Sequence, residues 1–122
     1  MEIVIIACLA GSALIHAVPV VGALGPAQVA TMYDVKVDGP DLAVLLVHRA
    51  VLFGLLAAAL VLAIFCEDAR PYVIGGVLVS DLAFLVIAAR IPGINASMRR
   101  VVRADVVSIA LLIVAGAAEL VR

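Results

Sequence analysis

The chain has 122 residues, of which 67% are hydrophobic and 14% charged, with net charge −1 and mean hydropathy +1.35. A soluble domain is nearer half apolar and a quarter charged, so this composition excludes a water-soluble monomer, and the balanced charge gives nucleic acid nothing to bind. The expected solvent is the lipid bilayer.

Four stretches are long and apolar enough to cross it, since a span needs about 20 such residues. They run over about 2–24, 41–65, 71–89 and 98–121 and make one transmembrane domain of the whole chain. The first begins at Glu2 and continues past Ala17. It has no basic leader region, so it reads as a retained span rather than a cleaved signal. Gly25-Pro26 closes it, and the segment PAQVATMY (26–33) fits a short surface helix. Asp38-Gly39-Pro40-Asp41 forms a turn with Asp41 as N-cap of the second span. Glu67 to Arg70 make a tight polar hairpin, and Pro71 opens the third span, where its missing N–H costs nothing. Pro92-Gly93-Ile94-Asn95 breaks the chain before the fourth span. The loops are short, so the expected fold is all-α: an integral membrane antiparallel four-helix bundle.

Lys36, Arg90, Arg99, Arg100 and Arg103 gather on the side of the 1–2 and 3–4 connections, against Arg70 and Arg122 on the other. The positive-inside rule then puts those connections in the cytoplasm and both termini outside. Glu2, Glu67, Asp68, Glu119 and Arg122 read as solvated span ends. Cys8 and Cys66 fit no metal spacing and read as small apolar fillers, with a disulfide left open.

Depth can be read from the rise of about 1.5 Å per residue. From the cytoplasmic ends, His16 lies about 12 Å in, Arg49 about 10 Å, Asp81 about 13 Å and Asp105 about 9 Å. Four spans thus bring ionisable groups to one layer. Each such group is expensive against lipid, by about 2.5 kcal/mol or more, which favours their facing inward. Arg49 is the expected partner of Asp81, forking it and Asp105, with His48 beside it in an interior cluster and Ser108 one turn beyond Asp105. Pro19, three residues after His16, is expected to bend span 1. Tyr33 and Asn95 sit in the loops over the cluster, and Arg99 and Arg100 at its rim.

Such a set suits acid–base chemistry on a small lipophilic ligand, of hydrolase or isomerase type. Asp81 would be the acid and Asp105 the base, Arg49 and His16 would complete the catalytic set, and His48, Tyr33, Asn95, Arg99, Arg100 and Ser108 would bind substrate. Other readings stay open: a small transporter or proton-coupled module, an accessory subunit of a membrane complex, or a purely structural ion pair. Haem held by His16 and His48 is weighed too, but the acids and Arg49 would be odd neighbours. No metal or other cofactor is expected. A homodimer is compatible with so thin a bundle.

The stretches IHAVPVVGALGPAQVATMYDV, DLAVLLVHRAVLFGLLAA and INASMRRVVRADVVSIALL resemble a family of small uncharacterised bacterial four-helix membrane proteins. Its members show H-x-x-P in span 1, a Y-G-V-like turn, H-R-A-V-L-F-G-x-L in span 2 and N-x-x-L-R-R-V-x-x-A-D in span 4. His16, Pro19, Tyr33, His48, Arg49, Asn95, Arg99, Arg100 and Asp105 match, while Asp34 stands in place of the usual Gly and Met98 in place of Leu. The family often bears the label phosphopantetheine adenylyltransferase. The soluble α/β enzymes of that name need a nucleotide-binding motif with paired histidines near a first strand, which this chain lacks. The resemblance implies the four-span fold and the same site residues.

Overall fold

A computed structural model describes residues 1–122. Helix α1 (Glu2–Ala17) passes into a 3₁₀ turn (Val18–Leu24), and α2 (Pro26–Tyr33) follows. The long helices α3 (Pro40–Phe65), α4 (Arg70–Arg90) and α5 (Ala96–Val121) complete the chain. Four helical segments are long and apolar enough to cross a membrane: Glu2–Leu24, Pro40–Phe65, Glu67–Arg90 and Ala96–Val121. Of 97 backbone hydrogen bonds, 87 lie within helices. That internal satisfaction is what a chain in hydrocarbon requires, because acyl chains offer backbone groups no partner.

The architecture is an all-α bundle. Helix α1 lies between α3 and α5, α4 leans on α5, and α3 and α4 meet more loosely to close the ring. Small residues permit the close approaches. A Cβ on Gly22 would lie 3.0 Å from Val29 and 3.1 Å from Ala50, so this glycine lets the 3₁₀ turn wedge between α2 and α3. The proline-bearing end of span 1 therefore narrows from α-helix into 3₁₀ geometry at Val18, one residue before Pro19. A dry core of 11 buried residues, among them Ile5, Leu9, Leu60, Val77 and Leu112, fills the half of the bundle nearest the termini.

The 26–33 surface helix forms as the sequence suggests. Its C-cap, Asp34, is left-handed at φ 52°. Glycine adopts that conformation without steric cost, whereas an aspartate meets its own Cβ there. The N-cap of α3 is Gly39 rather than Asp41, which sits inside the first turn and makes no capping bond. There a carboxylate still meets the positive end of the helix dipole. Cys8 and Cys66 are both free thiols.

The larger correction concerns the charges near the termini. Arg70, read as a topological cation, is 1% exposed. Its Nε donates to the Ala63 carbonyl at 2.8 Å, and its two terminal nitrogens donate to the Glu2 carboxylate at 3.0 and 2.5 Å. Glu119 lies 3.6 Å away, and Arg122 bridges Glu67 and Glu119 at 2.9 Å each. Glu2, Glu119 and Arg122 are therefore joined in a network rather than freely solvated. A guanidinium with this many partners closes off the helix end that it occupies. Arg70→Ala should lower the melting midpoint in detergent by several degrees, more than Arg90→Ala on an exposed helix end, as followed by circular dichroism. Asp34→Gly should raise stability by about 0.5–1 kcal/mol, because it relieves the left-handed backbone.

Candidate functional site

The polar layer is built from α1, α4 and α5, with α3 alongside. Ser12 and His16 stand one turn apart on α1 and share a face. His16 Nδ1 lies 2.8 Å from the Ser12 carbonyl, which can only accept, so Nδ1 carries a hydrogen. Its Nε2 lies 2.8 Å from Asp81 Oδ1 on α4, with one proton between them. Ser108 on α5 donates to Asp81 Oδ2 at 2.8 Å. The Ser108 hydrogen is thereby used, so Ser12 donates to Ser108 Oγ, also at 2.8 Å. The bonds close a circuit: Ser12 to Ser108, to Asp81, to His16 and back to the Ser12 backbone. Every member is at most 2% exposed. Such a circuit satisfies each buried polar atom, and it fixes three helices in register.

Arg49 does not take the place expected for it. The partners of Asp81 are His16 and Ser108, and Arg49 pairs with neither aspartate. Its guanidinium donates instead to the Tyr33 hydroxyl at 3.2 Å. It lies among three rings, with Cζ 4.7 Å from the Phe53 centroid, 5.5 Å from Phe84 and 5.6 Å from Tyr33. The reason is angular: Arg49 is half-buried, and the rings around it replace water with their negative faces. His48, expected inside, is exposed on the bundle exterior. Consecutive helical residues point about 100° apart, so only one of the pair can face inward. His16 uses both ring nitrogens in the circuit, so the two histidines offer no common pair of axial haem ligands.

Asp105 differs from Asp81. It is 6% exposed, yet the donors of the layer go elsewhere and none is bonded to it. It lines two cavities. One, of about 350 Å³, lies toward the rim among His16, Pro19, Tyr33, Ser97, Arg100 and Ala104. The other, of about 300 Å³, lies in the seam between α3 and α4, among Arg49, Leu56, Asp81 and Phe84. Phe53 borders both, with its ring 6.0 Å from that of His16.

The loops over the layer are fixed by Asn95. It caps α5 by accepting from Met98 N at 2.8 Å, and its amide donates to the carbonyls of Tyr33 and Asp34 at 3.0 and 2.9 Å. Tyr33 is buried and faces the rim chamber. Arg100 lines the same chamber and donates to Ser97. Arg99 is exposed and bonds the Ile94 carbonyl, away from the layer. The structure thus brings together His16, Asp81, Ser108, Asp105, Tyr33, Arg49 and Arg100, places Asn95 as their scaffold, and leaves out His48 and Arg99. Ser12 is the member that sequence reasoning missed. The S-x-x-x-H spacing on one face of span 1 is the signal that could have found it.

Removing one partner of a buried pair strands the other, whereas removing both need not. His16→Leu alone should cost about 3 kcal/mol of stability. His16→Leu with Asp81→Leu should recover most of that loss in a double-mutant cycle read by thermal unfolding in detergent. No family model, curated protein or solved structure matches the chain.

Proposed function

We propose that the chain is a multi-pass protein of a bacterial cytoplasmic membrane that binds a small lipophilic molecule in the two chambers flanking Asp105 and moves a proton on it. The observation that carries the reading is Asp105 itself: a carboxylate 6% exposed, without a protein donor, bordering both chambers. Its carboxylate borders the two cavities in place of a protein partner, so a guest there can meet it directly. Asp105 is the proton-transfer group. The Asp81–His16 pair, satisfied within its own circuit, holds the surrounding helices and supplies a fixed field. Tyr33 and Arg100 line the rim chamber and bound the guest at that end.

The chambers are a dead end rather than a path across the bilayer, because the dry core lies between them and the termini. This favours ligand conversion over transport. The chamber end faces the cytoplasm in this reading. Lys36, Arg90, Arg99, Arg100 and Arg103 lie at that end, against Arg70 and Arg122 at the other, which is the bias the positive-inside rule reads.

The test uses protein purified in mild detergent and incubated with a bacterial membrane lipid extract, with bound and converted molecules followed by mass spectrometry. Wild type should retain a lipophilic molecule and convert it. Asp105→Asn should lower conversion by about 10²–10⁴-fold, and Ala104→Phe, which fills the rim chamber, should abolish retention. If both variants fold and behave as wild type does, the proposal fails.

A further inference from the structure

The seam between α3 and α4 holds a polar group that this acid–base reading leaves unused. The Arg49 guanidinium carries five N–H donors and makes one hydrogen bond to the protein, to Tyr33. No carboxylate pairs with it, since the ion pairs of the molecule involve only His16, Arg70 and Arg122 as cations. The rings of Phe53, Phe84 and Tyr33 surround the charge, but a ring face cannot fully satisfy the in-plane donors of a guanidinium. Arg49 lines the seam chamber of about 300 Å³ together with Asp81 and Asp105. The lip of that chamber is formed by Leu52, Ala83 and Ile87, all exposed on the bundle exterior where acyl chains would lie.

Three features select a guest. The lip is apolar, so the molecule arrives from lipid. The guanidinium has spare donors, so the molecule carries an acceptor oxygen. Two carboxylates already line the chamber, so an anionic head would add like charge, whereas a neutral carbonyl would not. We infer that Arg49 is the anchor for the carbonyl oxygen of a neutral lipophilic ketone or ester that reaches the seam chamber sideways, between α3 and α4. This rests on the reading that the chambers take a lipophilic ligand, and it names the class of that ligand. Arg49 binds and orients the guest, leaving proton transfer to Asp105.

The probe is 2-undecanone labelled with ¹³C at the carbonyl, titrated into the full-length protein in detergent micelles and followed by NMR. Decanoate and undecane serve as matched competitors. A hydrogen bond from the guanidinium moves the carbonyl resonance to higher shift, and the expected result is saturable binding with that displacement. Arg49→Lys keeps a positive charge among the rings and guards against misfolding. Arg49→Gln removes the charge. Arg49→Gln should weaken binding about tenfold or more, the worth of one hydrogen bond to a charged group, and return the resonance toward its position in empty micelles, whereas Arg49→Lys, which still donates through its ammonium, should fall between wild type and Arg49→Gln. Arg99→Gln, exposed and outside both chambers, should keep binding and displacement, and undecane that competes while the ketone shows no displacement would remove the anchor and leave the lipophilic chambers standing. The inference is overturned if undecane competes as well as the ketone, if decanoate binds more tightly than the ketone, or if folded Arg49→Gln binds the ketone with unchanged affinity and carbonyl shift.

Discussion

A carboxylate placed in hydrocarbon must find its partners inside the protein, and Asp81 finds them on two other helices. Its oxygens are bonded to His16 on α1 and Ser108 on α5, and Ser12 ties those two to each other. Lipid gives packed helices no hydrophobic drive toward one another, so directional bonds of this kind carry more of the task of fixing register. The circuit joins α1, α4 and α5 but not α3. Helix α3 is held at this level by Arg49 among its rings and by Tyr33. Both chambers accordingly border α3, through Phe53 in each and through Arg49 and Leu52 in the seam. Each cavity lies between one member of the circuit, His16 or Asp81, and helix α3.

The two ends of the bundle solve the problem of charge differently. At the termini, Arg70 and Arg122 are matched by Glu2, Glu67 and Glu119, and the helix ends are drawn together. At the other end, Arg90, Arg99, Arg100 and Arg103 stay exposed and unpaired by carboxylates, while Asn95 ties the loops with neutral hydrogen bonds to Tyr33 and Asp34. One end is closed by ion pairs over a dry core. The other has a chamber at its mouth.

The four spans were legible because hydropathy over about 20 residues is a strong signal that tertiary contacts rarely override. The surface helix at 26–33 and the common layer of His16, Asp81, Asp105 and Arg49 were legible too, since proline position and axial rise are local properties. The pairing within the layer was not. Depth gives height along a helix but not the direction a side chain faces. Spans apolar on every side supply no polar stripe to set that direction. Arg49 and Asp81 share a level, yet His16 stands between α3 and α4 and takes the carboxylate. The Arg70 network was missed for a related reason. A cation at a span end reads as solvated until the fold brings Glu2 and Glu119, at opposite ends of the chain, to the same corner.

The contrast between the two aspartates separates what holds this bundle from what is free to act in it. Asp81 and Asp105 sit at similar depth, Asp81 bonded to Ser108 and Asp105 one turn before it on α5, and both are nearly sealed from solvent. Each oxygen of Asp81 already accepts a hydrogen bond from the circuit, so displacing either bond would loosen three helices. Asp105 has no such engagement, and contact with a guest there costs the fold nothing. A substitution at Asp81 or His16 therefore acts first on stability, whereas an isosteric change at Asp105 breaks no hydrogen bond of the protein. Arg49 belongs with Asp105 in this division: its charge is sheltered by rings, its donors are mostly unspent, and the helix that carries it stands outside the circuit.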